Sequence, residues 1–159
     1  MHPEIEALAN RAEDRYLTPG ELEELQQCVQ LLAQRLELYE IVRDRELDIF
    51  QPIADRLVAA FPNQEQDILE RALQRWISIL RYSAIAMLNN NPQILNHQLQ
   101  SWFKGIVETH ETHTLDAKLY QLLQARLKEL LSNRAMSLIQ PFLSEADIAL
   151  FRTRTPLYR

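Results

Sequence analysis

The side chains able to anchor a ligand, hold a metal or move a proton are few: one cysteine, Cys28, and four histidines, His2, His97, His110 and His113. A thiol can act as nucleophile, thioether anchor or redox centre, and an imidazole can ligate haem iron or a divalent ion. Cys28 lies in "LEELQQCVQLL", to one side of the stripe of Leu22, Val29 and Leu36. It reads as a half-buried structural thiol, with redox chemistry or ligand attachment as the alternatives. His97 sits in "PQILNHQLQSWF", where Leu95, Leu99, Trp102 and Ile106 mark the apolar face. It shares the opposite side with Gln93, Gln100 and Lys104, so a solvated histidine is expected and not an axial ligand. His110 and His113, with Glu108, Glu111 and Asp116 nearby, have metal-ligand types but no preorganised spacing, and no metal is expected there. His2 is expected in a mobile terminus. No nucleophile–base spacing or phosphate loop stands out, and carboxylate pairs such as Glu23–Glu24 read as solvated helix surface. No catalytic residue is assigned, and the chain is read as not an enzyme.

The elements that would position these groups are all helical. A short helix is expected at 3–14, with Pro3 in its first turn. Thr18 and Glu21 then read as a capping box for a helix carrying Leu22, Leu25, Val29, Leu32, Leu36 and Tyr39 at spacings of three and four. Leu31, Leu38 and Val42 add a second apolar sector, so this helix is either deeply buried or shared with another chain. A third helix is expected at 45–61, kinked by Pro52 or starting there. Asn63 with Gln66 predicts the cap of a long helix reaching Asn90, with Ala72, Trp76, Ile79 and Met87 near one face. Asn91-Pro92 opens the next, ending near Gly105 or Val107. The polar stretch "ETHETHT" reads as a link to a helix at 114–132, followed by helical turns at 134–143 and 144–151 separated by Pro141. The basic end "RTRTPLYR", 152–159, reads as a solvated tail with a binding element as the alternative.

At 159 residues and 47% apolar content, one domain spanning 1–159 is the simplest organisation. Two glycines starve the chain of hairpin turns and favour helices. The formal charge of −5 argues against a nucleic-acid partner, which needs a basic footprint. A single cysteine suits a reducing cytoplasm, and no run approaches the roughly 20 apolar residues of a membrane span.

Helices of unequal length with a short one ahead of the main body suggest an all-α, globin-like packing. "RYLTPGELEEL" at 15–25 resembles the "RYLSPGEL" signature joining the first two helices of phycobiliproteins, the bilin-carrying light-harvesting globins. "LRYSAIAMLNNNP" at 80–92 is similar to that family's "LRLVTYGIVAGD", and "LKELLSNRAMSLIQPFL" at 127–143 resembles the start of its final helix. The resemblance implies that residues 1–20 belong to an N-terminal helical extension, folded away by the Pro19-Gly20 turn, onto which a partner subunit packs.

It also locates the bilin site. The family's long helix carries a run like "CLRDLDYYLRL", whose cysteine bonds the bilin, whose arginine pairs with a propionate and whose aspartate accepts from pyrrole N–H groups. The matching run here is "ALQRWISILRY", which places Ala72, Gln74 and Arg75 at those three positions. Alanine forms no thioether, and a cation repels N–H donors. The resemblance therefore implies a degenerate site with no bilin cofactor, and an interaction protein linked to phycobilisome assembly or to bilin and tetrapyrrole biosynthesis, like the family's bilin biosynthesis-associated globins. The alternative is a noncovalent binder of haem, bilin or another apolar ligand in the globin cavity. The family's interface involves positions matching Arg11, Tyr16, Leu17, Leu22, Leu25 and Arg81, with an acid where Arg11 stands pairing across subunits with the arginine at 81. Two cations meet here instead, so a homodimer of altered geometry or a phycobiliprotein-like partner is expected.

Overall fold

The computed structural model describes residues 2–103 and 110–154, with side chains described over 2–101 and 113–150. Among these residues the chain is all-helical, with α1 Pro3–Asp14, α2 Pro19–Asp44, α3 Glu46–Ala60, α4 Gln66–Asn89, α5 Pro92–Phe103, α6 His110–Leu130 and α7 Asn133–Arg154. Helix α4 is central, packing against α2, α3, α5, α6 and α7, whereas α1 packs on α2. One core cluster draws on α2 to α7 around Trp76, Ile79, Leu80 and Met87 of α4, each almost wholly excluded from solvent. Leu8 of α1 and Cys28 of α2 are buried apart from that cluster.

The start of α2 is set by the expected capping box. The Thr18 hydroxyl accepts from the Glu21 N–H at 3.3 Å, and the Glu21 carboxylate accepts from the Thr18 N–H at 2.8 Å. Arg15 adds two bonds to the same carboxylate, at 2.7 and 2.8 Å, and Arg11 stands 3.8 Å from it. Pro19 and Gly20 are thus the first residues of α2, and the chain turns through the extended Arg15 to Thr18 segment before them. A Cβ at Gly20 would meet nothing within 4 Å. The link therefore does not need glycine for room or for backbone conformation.

Helix α2 has two faces. Cys28, Arg35, Leu38 and Val42 are buried, while Leu22, Val29 and Leu36, seven residues apart, are 48%, 53% and 48% exposed. The wide apolar arc splits: one part enters the fold and the other faces out.

Three boundaries differ from the sequence expectation, those at the starts of α4 and α6 and at Pro141. Helix α4 begins after Glu65, whose side chain makes no cap bond, and Gln66 donates to Glu70 at 2.8 Å instead of reaching back to Asn63. Helix α6 starts at His110, so most of the expected polar link is helical, while 108 and 109 lie outside the described residues. The expected end of α5 at 105 to 107 also lies outside them. Helix α7 runs unbroken through Pro141, whereas α3 spans the expected stretch with Pro52 inside it and does not start there.

The physical reason at Pro52 is visible. A proline deprives the carbonyl four residues back, that of Asp48, of its helical donor. Arg126 of α6 supplies the loss, donating from Nε at 3.2 Å and Nη2 at 2.9 Å to the Asp48 carbonyl. At α4's other end, Asn90 takes the left-handed conformation at φ 47°, where glycine is usual and asparagine tolerable. The Asn91 side chain then accepts from the Gln93 N–H at 3.1 Å, opening α5 as expected at Asn91-Pro92.

Arg126→Met should cost about 1–2 kcal/mol by stranding the Asp48 carbonyl, and markedly less in a Pro52→Ala background, where that carbonyl regains its own donor. Urea unfolding of the four-member cycle measures this; equal costs in both backgrounds would contradict it. Glu21 gives a pH dependence. The Arg15 bonds, then the Thr18 N–H, lower its carboxyl from an ordinary value of 4.5 to about 2. Its folded value is depressed, so its stabilising contribution is complete above 4.5 and disappears as pH falls towards 2. The urea midpoints of wild type and Glu21→Gln should converge across that window.

Candidate functional site

The long helix α4 carries the three positions matched to bilin binding. Ala72 is buried in the core cluster, facing inward, and Gln74 is exposed. Arg75, one residue on, reaches α6: its Nη2 and Nε donate to Asp116 Oδ1 at 2.9 and 3.3 Å. The indole N–H of the fully buried Trp76 donates to the same oxygen at 2.9 Å. Trp76 also tilts against Tyr120 with centroids 5.7 Å apart, and the Tyr120 hydroxyl accepts from Gln140 of α7 at 3.3 Å. The Arg75 charge is thus neutralised inside the chain by a carboxylate that is itself buried. Asp116 was grouped by sequence with the histidine cluster of the polar stretch. The structure makes it the α4–α6 node. Only its place on the α6 face beside Leu115 and Leu119 hinted at this.

His97 is exposed on α5, as its wheel position predicts. His113 is half-buried near Asp147, whose carboxyl is raised by burial, with His113 acting in the opposite direction. The side chains of His110 and Glu111, and all of Glu108, lie outside the described residues. Among those described, no group of three His, Cys, Asp or Glu is placed to hold a metal. His2 overturns its expectation. It is buried against Arg35 of α2, with 8% of its surface exposed, and does not sit in a loose end.

The second candidate region is the α1–α2 corner. Tyr16 is 98% exposed, Leu17 and Leu25 are half-buried, and Leu22, Val29 and Leu36 continue the apolar surface along α2. Arg81 lies on α4, where its guanidinium makes a bidentate pair with Glu46 of α3 at 2.7 and 3.0 Å. Arg11 faces Glu21. Each arginine matched to the family's cross-subunit pair therefore has an acid of its own within the chain. A groove of about 230 Å³ beside the Arg81–Glu46 pair is lined by Tyr39, Val42, Leu80, Ala84 and Ile85. A larger one of about 420 Å³ opens between the end of α3 and the start of α4, lined by Leu57, Val58, Phe61, Leu69 and Leu73 together with Gln64 and Glu70. Its size is that of a small-ligand site.

No helix among the described residues is long and apolar enough to cross a membrane. In comparison with known families, the model for phycobilisome proteins matches residues 8–150. No individual curated protein matches the chain. The match takes in the capped α1–α2 junction, the α4 run and α6 with most of α7, and the all-helical arrangement is that family's globin-like fold. The chain belongs to the phycobilisome protein family.

Proposed function

We propose that the chain is a bilin-free phycobiliprotein-like globin of the cytoplasm that acts by binding protein, in phycobilisome assembly or in bilin and tetrapyrrole supply, and not as an enzyme. The observation that carries this reading is the outward apolar surface of the α1–α2 hairpin, from Tyr16 through Leu22 and Val29 to Leu36. Side chains of this size spaced in sevens on one face form a seam suited to another helix, and burying them drives association. The self-contained Arg11–Glu21 and Arg81–Glu46 pairs support a contact that is apolar rather than charge-matched. A second copy of the chain or a phycobiliprotein-like subunit is the partner that such a seam fits.

The absence of a bilin is supported by chemistry at two of the three matched positions. Ala72 offers no sulfur and faces the core, and Arg75 brings a cation already committed to Asp116. One observation favours a second reading, the noncovalent binder: the groove of about 420 Å³ that uses Leu69 and Leu73, flanking Ala72 on α4.

Two measurements separate these readings. Light scattering at tens of micromolar should show a dimer that Leu22→Asp or Val29→Asp dissociates, with helicity retained because both positions face out. A monomeric wild type, or a dimer indifferent to both changes, would defeat the interface reading. Co-expression with bilin-making enzymes and a lyase should yield colourless protein. Colour held in the native protein and lost in denaturing electrophoresis would establish the noncovalent reading, and a fluorescent denatured band would refute both.

A further inference from the structure

We propose that His2 and Arg35 form an acid-sensitive latch that holds the first turn of α1 over Cys28, so that protonation of His2 lifts this turn and uncovers the chain's single thiol. The geometry fixes the resting state. His2 Nε2 lies 2.9 Å from Arg35 Nη1, and both side chains belong to residues only 8% exposed. A guanidinium has donors only, so Nε2 must be the acceptor and carry no proton. The imidazole is therefore neutral, with its proton on Nδ1, an atom that is buried and without a hydrogen-bond partner among the described residues. This tautomer also leaves no free lone pair for a metal, although Glu4 and Cys28 lie close by.

A second proton has one place to go, Nε2, where the Arg35 N–H already points. Its arrival destroys the bond and sets two buried cations against each other. The groups able to relieve them are few. From α1, Glu4 places Oε2 4.0 Å from His2 Nδ1. That same oxygen accepts from the Cys28 thiol at 3.4 Å, and Glu4 Oε1 accepts from Asn90, the α4 cap, at 3.4 Å. From α2, Glu24 acts on Cys28 but makes no bond to His2 or Arg35, and Arg35 Nε is itself buried without a partner among the described residues. One shared carboxylate thus faces two cations, and the cheapest escape is outward movement of His2.

The local fold permits that movement without unfolding. His2 is the N-cap position, extended at φ −64° and ψ 125°, and makes no side-chain cap bond to α1. Further along, Leu8 is buried and the Arg11 and Arg15 contacts with Glu21 tie the far end of α1 to α2. The first turn is held to the rest of the fold by the His2 and Glu4 side-chain contacts, and its own Glu6 N–H to His2 carbonyl bond at 3.0 Å is kept if it lifts as a unit with Glu4. The thiol then loses both its cover and its carboxylate neighbour. In the closed state burial, then Glu4, raises the Cys28 pKa and keeps the sulfur unreactive. This latch is at the opposite end of α1 from Tyr16 and does not rest on the proposed interface.

The test is the rate at which Cys28 of the full chain, expressed without an N-terminal tag, reacts with 4,4′-dithiodipyridine between about pH 8 and about pH 5. Each rate is divided by that of a short cysteine peptide at the same pH, which removes the intrinsic ionisation of a thiol. The normalised wild-type rate should rise about tenfold or more on acidification, as expected for a local opening. His2→Gln, which accepts from Arg35 but cannot take a second proton, should stay protected throughout, and His2→Ala should be reactive at every pH. A flat wild-type profile, or a His2→Gln profile that follows wild type, would overturn the latch; the second result would point to general acid loosening.

Discussion

Asp116 Oδ1 receives three N–H donors from two consecutive residues of α4, and the packing of the central helix against α6 depends on that oxygen. A guanidinium and a carboxylate taken largely out of water lose hydration, and the loss is recovered only when the pair is well aligned and its other valences are filled. The indole of Trp76 contributes to that filling, and its own burial requires the acceptor. Tyr120 and Gln140 extend the contact to α7. The family resemblance places an acid on α4 at this point, aimed at pyrrole nitrogens. Here the cation is on α4 and the acid comes from α6, and each neutralises the other inside the protein.

The same economy governs the surface. Glu21, Glu46 and Asp116 each take an arginine from the same chain, and they neutralise or face Arg11, Arg15, Arg81 and Arg75. The large apolar residues of α2 left outside the fold, Leu22, Val29 and Leu36, lie about 100° around the helix from the face that buries Cys28 and Arg35. The helix thus turns Cys28 and Arg35 towards α1 in its first half, buries Leu38 and Val42 in the core in its second, and leaves Leu22, Val29 and Leu36 facing solvent.

Local chemistry was legible in the sequence. The Thr18–Glu21 box, the Asn91-Pro92 start and the exposed side of α5 bearing His97 each depend on residues within a turn of one another. The core face of α4 was legible too, because Ala72, Trp76, Ile79 and Met87 follow a helical period. What escaped depends on distant partners. Pro141 reads as a break and Pro52 as a kink or a start because nothing nearby in sequence offsets the lost helical bond, and for Pro52 the compensating Arg126 lies 78 residues from Asp48. Asp116 looked like surface because Arg75 is 41 residues away, and His2 looked loose because Arg35 is 33 away. The apolar arc of α2 was recognised, but periodicity cannot tell which half turns inward when the inner half contains a cysteine and an arginine.

The contact between Arg126 and the Asp48 carbonyl joins a side chain to the main chain, and its two ends are therefore written very differently in the gene. Every amino acid at position 48 presents the same carbonyl, so that codon can drift without weakening the bond. The codon for Arg126 cannot, for as long as position 52 encodes proline. The coupled pair of sites is 52 and 126, two residues joined only through a third whose identity is immaterial. Covariation between columns of related sequences would register a link between α3 and α6 at Pro52, displaced by one helical turn from where the atoms meet.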